Sequence, residues 1–277
     1  MAGAASNLAM RLATAAVGVP AVLVLLYAAP PWVFYVVILG TTLVGTLELL
    51  AMSHPQDRVS QWIGVALALA ASAVVYFRRE DPHALLALLA AFPLVALLVT
   101  LARLGAIETA ALRAFAMAAG PPLVAVPLAL LAALRSSNGG RGSGAVLLAI
   151  GLAWFADTGA YFAGRFAGRH KLYEAVSPKK TVEGAVGGLA ASVLWALLGA
   201  FLFVRGSLPP SHAVWLGLVA GALGQAGDLG ESLLKRSTGV KDSGNIVPGH
   251  GGILDRVDAL LMTSVAVYFY ARWADWL

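Results

Sequence analysis

The chain alternates between long apolar runs and short polar segments. Uncharged runs lie at residues 12–29, 30–47, 59–77, 84–102, 114–134, 143–156, 184–204, 211–227 and 259–271. A helix needs about 20 mostly apolar residues to cross a bilayer. The sixth run reaches that length only with Asp157 and Tyr161, and the ninth only with Asp255 and Asp258. The pattern therefore predicts an all-α polytopic integral membrane protein with about nine transmembrane helices.

Composition agrees with this pattern and excludes several classes of function. Of the 277 residues, 60% are hydrophobic and 12% are charged, and the mean hydropathy is +0.82. A soluble domain usually carries about 25% charged residues. The chain has no cysteine, which excludes disulfides, thiol catalysis and zinc–thiolate sites. The net charge of +5 accompanies no aromatic and basic nucleic-acid motif, so we expect a lipid bilayer as partner and no nucleic acid.

The distribution of Lys and Arg over the loops predicts the orientation. If successive helices alternate in direction, one side receives 13 of the 19 basic residues and the other side 6. The richer side is expected to be cytoplasmic. Without the two polar segments, residues 157–183 and 228–256, the split is 4 to 6, so these segments decide it. Two helices separate them, and both should therefore line one polar funnel that faces the cytoplasm.

Residues 227–258 hold much of the charge and lie between two apolar runs. Four polar side chains there are spaced to share one helical face: Asp228, Glu231, Ser232 and Lys235. Asp255 and Asp258 share a face at the start of the ninth helix. Carboxylates from two helices at one membrane surface suit Mg²⁺, which binds through one or two carboxylates plus substrate phosphates. The alternative is that these acids and bases only pair with each other in a solvated loop.

A second polar segment precedes the seventh helix. It contains Asp157 and Tyr161, followed by the sequence SPKKTVEG at residues 177–184. Lys179 and Lys180 come just before a helix N-terminus, where a phosphate group is favourably bound. The basic residues of this segment could equally serve as a cytoplasmic anchor.

The two halves of the chain differ in polar content. Residues 1–140 carry one acid inside an apolar run, Glu48, and we expect this half to be mainly scaffold helices. Residues 141–277 carry both polar segments and are expected to be the catalytic half of a single membrane domain. The Gly- and Ser-rich residues 136–144 would be the flexible connector between them.

Residues 232–258 read S-x-x-K-R-x4-K-D-x-G-x3-P-x-H-G-G-x-x-D-R-x-D, which resembles the signature of the phosphatidate cytidylyltransferase (CDP-diacylglycerol synthase) family. The segments QAGDLGE at 225–231 and SPKKTVEG at 177–184 resemble other parts of that family. The resemblance covers residues 150–260 and is weak in the first half. It implies a multi-pass enzyme of the bacterial inner membrane that makes CDP-diacylglycerol and pyrophosphate from CTP and phosphatidic acid. It also implies Mg²⁺ as cofactor and a homodimer.

The resemblance assigns expected roles to individual residues. Asp228 and Asp255 would hold metal, with Glu231 and Asp258 as further or supporting ligands, and a second cation is compatible with this set. Cations expected to hold phosphate oxygens during catalysis are Lys235, Arg236, Lys241 and Arg256. Residues expected to contact substrate are Asp157, Ser177, Lys179, Lys180, Thr181, Ser232, His250, Gly251 and Gly252. The phosphate monoester of the lipid is largely ionised at neutral pH and needs no protein base, so positioning and charge neutralisation would carry catalysis.

Two other functions remain open at this point. One is a CTP-dependent transferase that acts on another lipid phosphate or a polyprenol, because acceptor chains contact apolar residues that the motif does not specify. The other is an ion-coupled transporter with the carboxylates as its ion site. Transporters often show paired internal repeats, and no such repeat is visible in the sequence.

Overall fold

The computed structural model describes residues 16–137, 141–204, 206–246 and 251–276. Within those residues the chain forms nine α-helices: α1 Ala16–Tyr27, α2 Pro31–Ser53, α3 Arg58–Arg78, α4 Pro82–Ala102, α5 Ala110–Arg135, α6 Gly142–Ala167, α7 Val182–Leu202, α8 Pro210–Ser237 and α9 Leu254–Trp273. A 3-10 turn, Ile107–Thr109, precedes α5. Six helices, α2 to α7, are long and apolar enough to cross a membrane. The chain is therefore a polytopic, essentially all-helical membrane protein, as predicted.

The polar ends of three helices follow the sequence pattern. Helix α6 continues past Asp157 and Tyr161, and α8 continues ten residues beyond the apolar run that ends at residue 227. Helix α9 begins at Leu254, so Asp255 and Asp258 lie in its first two turns. The predicted extension of these helices by charged residues is confirmed. The first run, residues 12–29, lies partly outside the described residues.

One element differs from the helical expectation. Lys171–Tyr173 (β1) and Ser177–Thr181 (β2) pair as an antiparallel hairpin, with Lys171 opposite Thr181. The Nζ of Lys171 also donates to the carbonyl of Pro178 at 2.5 Å. A two-stranded sheet has two open edges, so Pro178 can lie in it without leaving a ladder bond unmade. The hairpin places Lys180 of β2 beside Asp228 of α8.

The buried core explains how the charged helix ends are held together. Helix α9 packs against α2, α5, α6 and α8, and its buried Leu254, Leu261 and Val267 belong to one continuous hydrophobic cluster. Helix α4, by contrast, exposes large apolar side chains such as Leu89 and Leu101, as expected of a lipid-facing helix. The N-terminus of α9 consequently lies inside the bundle, against helices from both halves of the chain.

Candidate active site

A cavity of about 400 Å³ lies between α6, the β-hairpin, α7 and α8. Its wall contains five residues proposed from the sequence as site residues: Asp157, Lys179, Lys180, Thr181 and Asp228. Tyr161, Arg165 and Gln225 also line it. The two polar segments, which are far apart in sequence, therefore meet at one end of the bundle.

An ion pair closes the contact between these segments. The Nζ of Lys180 on β2 lies 2.6 Å from Oδ2 of Asp228 on α8. Asp157 on α6 interacts electrostatically with both of these groups and with Arg256. Two acids and two lysines thus share the cavity, and Arg165, whose Nη1 donates to the hydroxyl of Tyr161 at 2.8 Å, adds a further cation. A cavity with this mixture of charges suits an anionic phosphate ligand together with a cation.

Hydrogen bonds fix the hairpin to the start of α7. The hydroxyl of Thr181 accepts from the N–H of Gly184 at 3.1 Å and so caps the helix N-terminus. The carboxylate of Glu183 accepts from the backbone N–H of Arg169 at 3.0 Å and contacts Nδ1 of His170 at 2.6 Å. Thr181 therefore has a structural role in addition to its position in the cavity wall.

A second charged cluster lies deeper, between α8 and α9. The Nζ of Lys235 donates to Oε2 of Glu231 at 2.7 Å and to Oδ1 of Asp255 at 2.5 Å. All three side chains are at most 10% exposed. The other oxygen of Glu231, Oε1, is buried without a hydrogen-bond partner among the described residues. Burial outweighs the contact with Lys235 and raises the pKa of the Glu231 carboxyl.

Asp255 is surrounded by donors from its own chain. Its Oδ2 accepts from the N–H of Gly252 at 2.8 Å, from the N–H of Ser243 at 2.9 Å and from the Ser243 hydroxyl at 2.9 Å. Burial alone would raise the pKa of Asp255, but the bonds from Lys235, Gly252 and Ser243 outweigh it and lower the pKa to about 2. Asp255 is thus an ionised carboxylate that ties the loop after α8 to the start of α9.

The glycines before α9 are required by the crowding around this carboxylate. Gly251 has φ +82, and a Cβ there would lie 2.6 Å from Oδ2 of Asp255. A Cβ on Gly252 would collide with both the Ser243 hydroxyl and the carboxylate of Glu48. Both glycines were expected to contact substrate, and the structure directs the N–H of Gly252 to Asp255.

Glu48, assigned to the scaffold from the sequence, lies at this cluster. Its carboxylate accepts from the N–H of Ile253 at 3.0 Å, from the N–H of Leu254 at 2.8 Å and from the hydroxyl of Ser243 at 3.0 Å. The side chain caps the N-terminus of α9 from a helix some 200 residues earlier in sequence. The only signal available in the sequence was an acid inside an apolar run, which is costly unless it has partners.

The remaining site residues lie around these two clusters. Ser232 is one turn from Asp228 and approaches it only at 3.5 Å, and Nη1 of Arg236 donates to the carbonyl of Val240 at 2.9 Å. Lys241 and Arg256 are exposed, and Ser177 begins β2. His250 lies outside the described residues. Burial and repulsion by Asp228 raise the pKa of the Asp258 carboxyl, which also interacts with Glu231 and Asp157.

The donor set has the chemistry of a divalent-cation site without a preformed cage. Four acids from three helices repel one another: Asp157, Asp228, Glu231 and Asp258. Glu231 also carries a buried oxygen that has no partner within residues 16–137, 141–204, 206–246 and 251–276. No three of the described Asp, Glu or His side chains, however, converge on one point closely enough to hold an ion. Lys180 and Lys235 pair with Asp228 and Asp255, and the set would fit a hard cation that completes its shell with oxygens from a ligand.

Comparison with known proteins identifies the family. The model of the cytidylyltransferase family matches residues 9–274, nearly the whole chain. The chain belongs to the cytidylyltransferase family. Both the apolar helices of the first half and the two polar segments lie inside the matched range, so the match to the family includes the first half of the chain.

Individual relatives match a shorter segment. A phosphatidate cytidylyltransferase of Synechocystis sp. is 45% identical over 124 residues, which are 45% of this chain and 42% of the relative. Similar proteins with the same name in Staphylococcus saprophyticus and Bacillus subtilis are 49% and 46% identical over 120 and 116 residues. The matched segments cover 44% and 43% of those two relatives. The alignments thus span less than half the length of each relative.

Proposed function

We propose that the chain is a phosphatidate cytidylyltransferase, which transfers CMP from CTP to phosphatidic acid and releases pyrophosphate in phospholipid biosynthesis. The observation that carries this proposal is the cavity where Lys180 and Asp228 meet, because it joins the two segments that resemble the family motifs. The names of the relatives support the choice of reaction.

In the proposed reaction, a phosphate oxygen of phosphatidic acid attacks the α-phosphorus of CTP. The bond to the β-phosphate breaks, and pyrophosphate leaves with the electron pair. Lys179 and Lys180 are proposed to bind the phosphates from the hairpin side of the cavity, and Arg165 from α6. Lys180 can turn from Asp228 to a phosphate oxygen at small cost, because its side chain is 27% exposed.

We propose Asp228, Glu231, Asp255 and Asp258 as the residues that hold Mg²⁺, with room for a second cation. Bound Mg²⁺ would neutralise the charge of the triphosphate. Asp228 is the acid of this set that lines the cavity, and one oxygen of Glu231 has no hydrogen-bond partner in the part of the chain that the structure describes. Asp255 could bind the cation only if Lys235 releases its hydrogen bond to the Asp255 carboxylate. Arg236, Lys241, Arg256, His250 and Ser232 are proposed to contact phosphate or lipid headgroup around this centre.

The surroundings follow from the proposed reaction. We propose nine membrane-crossing helices, in which residues 211–227 of α8 and 259–271 of α9 are the apolar parts, with the charged ends outside. The cavity would form a funnel open to the cytoplasm of a bacterial inner membrane, where CTP is available. The division into scaffold residues 1–140 and catalytic residues 141–277, and a homodimer, are part of the same proposal.

The deciding experiment is turnover by the purified chain in detergent. Labelled CTP would be offered with phosphatidic acid, with a polyprenyl phosphate and with an ether-lipid phosphate, each with Mg²⁺ and with EDTA. CDP-diacylglycerol that forms from phosphatidic acid only in the presence of Mg²⁺ is the expected product. Turnover of another acceptor but not of phosphatidic acid would overturn the proposed substrate. Turnover in the presence of EDTA would overturn the proposed requirement for Mg²⁺.

Orientation can be tested separately because the chain has no cysteine. Glu174 lies exposed in the turn of the β-hairpin. A Glu174→Cys variant should react with a membrane-impermeant maleimide in inverted vesicles and not in right-side-out cells. The reverse labelling pattern would place the funnel on the other side of the membrane. Chemical cross-linking in the membrane tests the homodimer.

A further inference from the structure

We propose that Glu48 is a positioning residue for the reaction: it orients Asp255, and through Asp255 it orients Lys235. Glu48 belongs to α2, in the half of the chain that sequence reasoning assigned to scaffold. This inference rests on the proposed function for its kinetic consequences. The positioning itself concerns the geometry of the described residues and does not depend on the substrate.

Glu48 reaches Asp255 by two routes. The first is the backbone, because Glu48 accepts from the N–H groups of Ile253 and Leu254 and thereby fixes the turn that carries Asp255. The second is Ser243, whose hydroxyl lies 3.0 Å from Oε2 of Glu48 and 2.9 Å from Oδ2 of Asp255. Glu48 and Asp255 therefore share one hydroxyl proton, and a change at either acid alters the hydrogen bond that the other accepts.

The contacts continue from Asp255 into α8. Asp255 binds Lys235, and Lys235 binds Glu231, so one unbroken series of polar contacts runs from α2 through α9 to α8. Glu48 is 6% exposed and both of its carboxylate oxygens accept hydrogen bonds, and satisfied buried polar contacts of this kind hold their members in one arrangement. The position of the Lys235 ammonium consequently depends on a carboxylate two helices away.

The local sequence is shaped around Glu48. A Cβ on Gly244 would lie 2.5 Å from Oε1 of Glu48, and a Cβ on Gly252 would collide with its Oε2. Two glycines of the motif therefore leave the space into which this carboxylate fits. A side chain that only filled a scaffold helix would not require glycine at two positions of a loop about 200 residues later.

The test uses Glu48→Gln, which keeps the shape but replaces one oxygen with an NH₂ group. In one orientation of the Gln amide the NH₂ group faces the N–H of Ile253, and in the other it faces the N–H of Leu254. In both cases one hydrogen bond is lost because two donors face each other. Ser243→Ala breaks only the hydroxyl link and leaves the helix cap in place. Thr46→Val is the matched control, because Thr46 lies buried on the same helix with no hydrogen-bond partner for its hydroxyl among the described residues.

Two readouts are measured on the full chain in detergent. For Glu48→Gln and Ser243→Ala we expect kcat to fall by about tenfold to a hundredfold with KM for CTP changed little, since the loss is in alignment and not in binding. The effect of the double variant should depart from the product of the two single effects, because the helix cap that Glu48→Gln disturbs and the hydroxyl link that Ser243→Ala removes both act on Asp255. Thr46→Val should keep wild-type kcat. A multiplicative double variant, or wild-type kcat in Glu48→Gln, would overturn the proposal.

Hydrogen exchange separates this proposal from the proposed function. Glu48→Gln should speed exchange at the N–H groups of Ser243 and Gly252, which are bound to Asp255 and not to Glu48. Faster exchange at Ile253 and Leu254 alone would reduce Glu48 to a local helix cap and overturn the proposal. If the wild-type chain makes no CDP-diacylglycerol, the proposed function fails, and the exchange pattern still decides whether Glu48 positions Asp255.

Discussion

Lys180 Nζ lies 2.6 Å from Oδ2 of Asp228, and this pair joins the β-hairpin to α8 across the cavity. The two side chains are 27% and 25% exposed. Ion pairs that remain in contact with water contribute about 0–1 kcal/mol to stability. The pair can therefore open at low cost, as the proposed binding of a phosphate group and a cation in this cavity requires.

Asp228→Asn should abolish turnover while leaving the protein folded. The amide keeps the shape of the carboxylate but lacks its negative charge, so it holds a cation only weakly and forms no ion pair with Lys180. Loss of at least about a hundredfold in kcat/KM is expected, as for removal of a preorganised electrostatic group. Because the ion pair is partly exposed, the thermal unfolding midpoint in detergent should change little. Both quantities are measured on the same preparation.

A matched control for this variant is Glu174→Gln. Glu174 is an exposed acid in the turn of the hairpin and is not part of the cavity wall. The Glu174→Gln variant loses the same charge as Asp228→Asn and should retain wild-type turnover. Near-normal turnover in Asp228→Asn at limiting Mg²⁺ would contradict a metal-binding role for Asp228.

Lys235→Met should act on stability first. Lys235 is 10% exposed and balances Glu231 and Asp255, so its removal leaves two buried acids without a cation. Breaking a buried ion pair by removing one partner costs about 3–5 kcal/mol. The midpoint of unfolding in detergent should fall sharply, in contrast with Asp228→Asn.

The double variant Glu231→Gln/Lys235→Met tests the cause of that fall. It removes one of the two buried charges together with the lysine, so it should recover part of the lost stability. A double variant that is less stable than Lys235→Met would show that lost packing, and not unbalanced charge, causes the effect. The same reasoning means that inactivity of Asp255→Asn alone cannot identify Asp255 as a metal ligand.

Much of this site could be predicted because its parts are local in sequence. The spacing of Asp228, Glu231 and Lys235 fixes them on one helix, and α8 does extend through them. The position of the second polar segment followed from counting helices, and the contact of Lys180 with Asp228 agrees with it. The sequence pattern does not specify which acid Lys180 or Lys235 binds, because each lysine lies within reach of several acids.

What could not be predicted depends on contacts between distant segments. The partners of Glu48 are about 200 residues away, and periodicity carries no information on such pairs. The hairpin at residues 171–181 was missed because a short polar stretch with Pro178 shows no strand alternation. The direction of the Gly252 N–H towards Asp255 likewise depends on a fold that brings a loop and a helix start together.

The stability of the protein should depend on pH through Asp255. Its pKa in the folded chain is about 2, below the ordinary value of 3.8. A lowered pKa contributes stability that is present above pH 3.8 and is lost as the pH falls towards 2. At 1.36 kcal/mol per pH unit this contribution is about 2 kcal/mol. Unfolding midpoints of the wild type and Asp255→Asn, compared at pH 5 and pH 2.5, measure it.

The difference in unfolding midpoint between the wild type and Asp255→Asn should be smaller at pH 2.5 than at pH 5, because below pH 3.8 the unfolded wild-type chain binds a proton at Asp255 that the folded chain largely does not. Asp228→Asn is the control, since that acid is more exposed and its ion pair contributes little. A gap of equal size at both pH values would mean that the bonds to Asp255 do not depend on its charge.

Thr181 offers a test that separates a structural role from a substrate contact. Its hydroxyl oxygen accepts from the N–H of Gly184, and its proton remains available to an acceptor in the cavity. Thr181→Ala should lower stability by about 1 kcal/mol through loss of the cap, whereas glycine at a cap position costs only a few tenths of a kcal/mol. Thr181→Ser should keep both stability and turnover. Thr181→Gly should therefore keep the helix but raise KM for CTP several-fold if the hydroxyl binds phosphate, as we expect. A Thr181→Gly enzyme with wild-type KM would restrict Thr181 to capping α7, and the cations of β2 would then be the contacts that the hairpin makes with the nucleotide.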